Sequence, residues 1–172
     1  MGCAISGLAA KSELADRSRE DAAVEHPNEE QIQMIKDSWK VIRDDIAKVG
    51  IIMFFITNMT CFQSFRVMSF IEKSVARLDQ PERLEALAVE LGKSHYHYNA
   101  PPKYYNYVGA EFICAVQPIL KEQWTTELEK AWKTMFQFVT ALMKQGYQEE
   151  SARQRQLATS PKDRLDKRNT AL

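Results

Sequence analysis

The residues best able to bind a metal or carry redox chemistry in this 172-residue chain are three histidines and three cysteines. Two of the histidines, His95 and His97, stand two positions apart in LGKSHYHYNAPPKYY, residues 91–105. A neutral imidazole can ligate a metal, move a proton or simply satisfy hydrogen bonds in a core. Helical phase separates the pair. On a helix begun at Pro81, with Leu84 at zero, Leu87 falls near 300°, Ala88 near 40° and Leu91 near 340°, at about 100° per residue. His95 lands near 20°, within this apolar stripe, and His97 near 220°, on the far side. His95 is therefore expected to point inward and His97 to solvent. On residue type alone, an inward histidine is more often hydrogen-bonded than metal-bound. Cys3, Cys61 and Cys114 suggest no disulfide framework and point to a reducing, intracellular compartment, the latter two as inert buried thiols. No dedicated nucleophile or general base stands out, so no catalytic residue is assigned.

The chain opens MGCAIS, which fits the acylation pattern M-G-x-x-x-[ST]. Gly2 is the expected myristoylation site and Cys3 a palmitoylation site beside it. Two acyl chains are needed because one holds a membrane only marginally. This predicts residence on the cytoplasmic face of a membrane, the plasma membrane in the first instance. Residues 1–27 are read as a lipidated, flexible tether, 28–147 as the folded domain, and 148–172 as a charged, disordered tail. Net charge is zero, with 45% hydrophobic and 27% charged residues, the composition of a soluble globular protein. No basic face argues for nucleic acid, and no apolar run approaches a transmembrane span.

The elements that must position His95 read as all-α. Asn28 and Gln31 have the spacing of a capping box. Ile35, Trp39, Ile42, Ile46 and Val49 follow at helical spacing, Gly50 is expected to let another helix approach, and IIMFFI (51–56) to continue as buried helix. Gln63, Val67, Ile71 and Val75 mark a second pattern. Pro81 suits the first turn of the helix carrying His95. After the NAPP corner come Tyr105, Val108, Phe112, Val116 and Ile119, with Pro118 a kink. Thr126 and Glu129 are expected to cap a last helix through Leu128, Trp132, Met135, Val139 and Leu142, ending at Gly146.

These segments, in this order, resemble the globin family. LGKSH before a proline corner is similar to the proximal-histidine region; IKDSWKVIRDDIAKVG resembles the opening globin helix and ELEKAWKTMFQFVTALM the closing one. With the doubly acylated start and RVMSFIEKSVARLD, the likeness extends to globin X, the membrane-associated vertebrate branch. It covers residues 29–145 and the N-terminus. It implies a globin fold, haem as cofactor and His95 as the proximal iron ligand. It implies Leu91 on the proximal face and Ala100, Tyr105 and Val108 lining the haem after the corner. Val67 would lie over the distal face, and Phe136 or Phe138 would close the pocket. The implied activity is binding of oxygen or related diatomic gases, with one-electron redox or nitrite-reductase chemistry as an enzymatic extension.

Two features depart from that pattern. Where globin X places a distal histidine, four residues before Val67, this chain has Gln63, whose amide is a poor iron ligand but can hydrogen-bond a bound one. Only residues 51–62 separate Gly50 from Gln63, where a complete globin has roughly two dozen more. Such an internal deletion removes one wall of the pocket. The alternative it raises is a lipid-anchored helical interaction module that has lost haem binding.

Overall fold

The structure, a computed structural model, describes residues 24–57 and 61–159. Gly2 and Cys3, and with them the expected acylation sites and most of the tether, lie outside the described residues. Within those residues every regular element is helical, as expected: α1 (Glu29–Asp44), α2 (Ile46–Thr57), α3 (Cys61–Val75), α4 (Pro81–His97), α5 (Tyr105–Leu120) and α6 (Thr126–Thr159), with single 3₁₀ turns at Pro102–Tyr104 and Lys121–Gln123.

The caps explain where most helices begin. The Asn28 side chain accepts the Gln31 N–H at 2.9 Å while Gln31 Oε1 accepts the Asn28 N–H at 3.1 Å, so both reciprocal bonds of the capping box form. Pro81 occupies the first turn of α4, where its missing N–H costs nothing. For α6 the cap is one residue earlier than expected. Thr125 Oγ1, not Thr126, accepts from the Leu128 N–H at 3.1 Å. The opening pattern also divides: Asp45 leaves helical geometry (φ −110°, ψ 24°), ending α1, and its carbonyl starts α2 by accepting from Lys48 and Val49.

The core forms where the stripes meet. Trp132 of α6 is fully buried; ring centroids of Phe112 in α5 and Trp39 in α1 lie 5.0 and 6.3 Å from it. Its indole N–H donates to Ser38 Oγ at 3.1 Å, and Ser38 donates onward to the Ile35 carbonyl at 3.0 Å. The buried N–H thus has an acceptor and α1 is tied to α6. α2 packs on α3 and α5, and α4 lies along α6 in the most extensive helix pair.

Two glycines set that pair. A Cβ on Gly92 of α4 would stand 2.0 Å from the Met143 carbonyl oxygen, and one on Gly146 of α6 would stand 2.0 Å from the Val89 carbonyl oxygen. The two backbones cross in near contact, and only hydrogen fits at either position. Gly146 is therefore not a helix stop. No described glycine has positive φ, so it does not adopt the left-handed conformation of a C-terminal cap. The helix continues to Thr159, which removes 148–159 from the expected disordered tail; residues 160–172 lie outside the described residues. Gly50, expected to admit a neighbouring helix, has nothing within 4 Å of a built Cβ. The 51–56 stretch is only partly buried: Met53 is inside, but Ile51 and Phe55 are 58% and 76% exposed.

Candidate functional site

His95 sits in the last turn of α4, half-buried, and His97 is exposed, as the helical phase predicted. The ring of His95 is held from three directions. Its Nδ1 lies 2.8 Å from the Leu91 carbonyl oxygen, one turn back. A carbonyl can only accept, so Nδ1 carries the proton and Nε2 the lone pair. The edge of Tyr105 meets the imidazole with centroids 5.2 Å apart. The third restraint is the corner: Asn99, in the left-handed region at φ 53°, closes α4 with Asn99 N–H to Tyr96 O at 3.2 Å and Ala100 N–H to His95 O at 3.0 Å. These two bonds make a Schellman closure with Asn in the glycine position. Tyr105 Oη donates to the Ala100 carbonyl at 3.1 Å, and burial pushes that phenol up to about 12, so it remains a donor at neutral pH.

Burial, before any other influence, holds the His95 pKa below that of a free imidazole, with the Arg66 cation acting the same way and the Leu91 bond opposing. The ring is neutral at pH 7, with its proton on Nδ1 and its lone pair on Nε2. That is the donor a single metal–imidazole bond requires. Four of the residues expected to line a cofactor, Val67, Leu91, Val108 and Phe136, pack against the core but stay only partly buried. They present apolar area that a flat apolar group can cover. Ala100 is half-buried, Tyr105 is buried and Gln63 is exposed. No group of three or more His, Cys, Asp or Glu side chains gathers as a metal cage among the described residues.

Geometry places Phe136 and Phe138 against different neighbours. Residues two apart on a helix project about 200° apart. Phe136 faces α5, where it covers Gly109 and lies 5.3 Å from the Phe112 ring; Phe138 turns to the N-terminal segment, its ring 4.9 Å from that of His26. Cys114 is exposed, contrary to the expected buried thiol.

Sequence reasoning missed three participants. Arg66, one turn from Gln63 in α3, places its guanidinium 5.8 Å from the Tyr98 ring centroid and bears on His95 electrostatically. His26 donates from Nδ1 to the Pro27 carbonyl at 2.8 Å and leaves Nε2 buried without a partner. The third is Glu150, assigned to the tail by sequence. It is 5% exposed and accepts from Arg153 at 2.8 and 2.5 Å, from Gln154 at 2.8 Å, and lies 3.0 Å from His97 Nε2. With Tyr147 against Tyr96 (5.4 Å) and Glu149 beside Lys93 (3.5 Å), it lays the end of α6 along the turn carrying His95. His97 is thus engaged, not simply solvated.

Arg153 above all, then Gln154, depress the Glu150 carboxyl from 4.5 to about 2. A depressed acid stabilises the fold above its unfolded pKa, and that contribution disappears as pH falls through the folded one. Helical chemical shifts of residues 147–159 are accordingly expected to persist at pH 5 and decay toward pH 2, while Glu150→Gln shows no transition in that window. Identical acid titrations would refute the anchoring role.

Helices α3 to α6, with His95 among them, are also where the match to known proteins lies. The globin family model matches residues 62–143. Over these 82 of its 172 residues the chain is similar to the globin family. Neuroglobin of Danio rerio and neuroglobin-1 of Oncorhynchus mykiss are each 25% identical to it over 150 residues, covering 72% of this chain and 94% of the relative. Neuroglobin of Tetraodon nigroviridis is 30% identical over 82 residues, 48% of this chain and 52% of the relative.

Proposed function

We propose that this chain is a globin that binds haem through His95 and takes up oxygen or related diatomic gases, on a membrane surface to which acyl chains on Gly2 and Cys3 tether it. The observation that carries the haem reading is the state of His95: neutral, with Nδ1–H on the Leu91 carbonyl, which leaves the lone pair on Nε2. The residues fit the group on this side. His95 would hold the iron. Leu91, Val108, Val67 and Phe136 would cover the porphyrin faces, and the exposed cation Arg66 suits its carboxylates. Haem, when bound, supplies reversible binding of diatomic ligands and one-electron chemistry.

The chain's own residues set the conditions of that chemistry. The Leu91 carbonyl fixes the imidazole tautomer and raises its basicity toward a metal. Tyr105 and the Ala100 corner restrain the ring. Gln63 carries an amide, not an imidazole, and so would be a poor iron ligand; haem held by His95 would then be five-coordinate when ferrous. Nitrite reduction is the finer reading of the same site, and likeness to globin X the finer reading of the family. The proposed deletion before Gln63 is supported by the alignments: 150 aligned positions take up only 72% of this 172-residue chain, so some of those positions face a gap in it. A wall shortened in this way would admit water to the site.

Hemin titration of the full chain tests the reading. A stoichiometric Soret band is expected, with affinity falling at least tenfold in His95→Ala. A band indifferent to that substitution, or none in the parent, would leave the lipid-anchored interaction module as the function. A bis-histidine spectrum would contradict the five-coordinate state.

A further inference from the structure

We propose that a groove between α2 and α3, separate from the His95 site, is the resting seat of the acyl chain on Gly2. The inference rests on the acylation reading above and adds a regulated state to it: the chain's own lipid is folded away or released to the membrane.

The groove is a half-open cavity of about 400 Å³. Its walls are chiefly apolar, from Ile46, Ile51 and Phe54 of α2 and Phe65 and Met68 of α3. Phe65, Met68 and Glu72 recur at three- and four-residue spacing on one face of α3, a face that includes neither Gln63 nor Val67. Neither His95 nor its neighbours line it. Ile51 and Phe65, which line the groove, are 58% and 72% exposed, an apolar rim of the kind that marks a surface awaiting something to cover it.

Two further observations say that the groove is built for an occupant. Gly50 lies inside α2, where glycine is unfavourable relative to alanine. Its neighbours do not demand it, because a Cβ there meets nothing within 4 Å. What the missing side chain preserves is open space, since Gly50 lines the groove. The second is Ser64, which also lines the groove. It is 2% exposed, and its hydroxyl has no hydrogen-bond partner among the described residues. A buried hydroxyl left unsatisfied is costly. An acyl amide offers the carbonyl acceptor that Ser64 lacks.

The occupant follows from reach and size. Residues 3–23 separate Gly2 from Val24, the first described residue, and an extended leash of that length reaches roughly 70 Å. A domain the size of 24–159 has a radius of gyration of about 14 Å, so the whole surface is accessible to it. A saturated chain of about fourteen carbons fills roughly 350 Å³ at interior packing density, close to the cavity volume. Tethering makes the docking intramolecular, at an effective concentration near the millimolar range. One myristoyl chain binds membranes with an association constant of only about 10⁴ M⁻¹, weak enough for such a seat to compete. The second acyl chain, on Cys3, then acts as the device that commits the protein to the membrane.

Full-length protein coexpressed with an N-myristoyltransferase in bacteria provides the test, with acylation of Gly2 read by intact mass and membrane binding by cosedimentation with phosphatidylcholine vesicles. Gly50→Leu fills the groove without a backbone clash; Ala47→Leu, also on the lining, is the second variant, and circular dichroism checks the fold of each. The acylated parent is expected to remain mostly in solution, and either filled variant to bind vesicles at least fivefold more. Gly2→Ala combined with Gly50→Leu is expected to stay in solution. Equal partitioning of acylated parent and both variants overturns the proposal and leaves the anchor intact. Absence of acyl mass on Gly2 overturns the anchor and the proposal together. Vesicle binding by the unacylated Gly50→Leu chain, or an unacylated dimer that Gly50→Leu dissociates, assigns the groove to direct membrane contact or to a second copy and also overturns it.

Discussion

Gly146→Ala is expected to lower the melting temperature by roughly 10 °C, corresponding to about 3 kcal/mol, with Gly92→Ala close behind. The new Cβ would stand 2.0 Å from a backbone carbonyl oxygen in either case. A flexible side chain could turn aside from such a clash; a carbonyl inside a helix cannot move without its helix. Relief therefore requires α4 and α6 to separate along their length, and the loss is spread over the largest interface of the fold. Gly92 is one turn before His95, so the same separation displaces the proximal segment, and hemin affinity should fall with stability. Gly50→Ala is the internal control: with open space around its Cβ, it should be neutral or stabilise by about 0.5–1 kcal/mol. Thermal unfolding of the three variants side by side decides the matter. Melting of Gly146→Ala within 2 °C of the parent would disprove the close crossing.

Trp132→Ala is expected to cost about 4 kcal/mol, read as a fall in the urea midpoint at unchanged slope. The indole is fully buried among Trp39, Phe112 and Phe136, and its removal leaves a cavity bounded by three separate helices, which cannot all collapse into it. Trp132→Phe separates the two contributions. It keeps most of the apolar contact but loses the hydrogen bond to Ser38, and should cost about 1–2 kcal/mol. Ser38 is not stranded by that change, because its hydroxyl still donates to the Ile35 carbonyl. An alanine variant losing less than 1 kcal/mol would show that the aromatic cluster is not the centre of the core.

The parts of the site that were legible in the sequence are those set by near neighbours. Pro81 and the recurrence of Leu84, Ala88 and Leu91 determine the phase of α4, and the phase turns His95 inward without reference to any other helix. Asn28 and Gln31 are three residues apart, within reach of one turn. The long reach of α6 was not legible. Gly146 followed by charged residues reads as a stop and a tail when only local propensity is weighed. Gly146 instead meets the Val89 carbonyl, and Glu150 stays buried because Arg153, Gln154 and His97 surround it. Half of those contacts come from a helix some fifty residues earlier in the chain.

By itself, then, the sequence determined an all-α chain, the helix that carries His95, and the side of that helix on which it lies. Capping, periodicity and short motifs are short-range physics, and they act between residues already close along the chain. Tertiary structure alone decided which glycine is a crossing point and which an open floor, which of Phe136 and Phe138 covers α5, and what holds His97. Each of those depends on an atom supplied by a distant helix, and no spacing along one strand of sequence encodes where that atom will be.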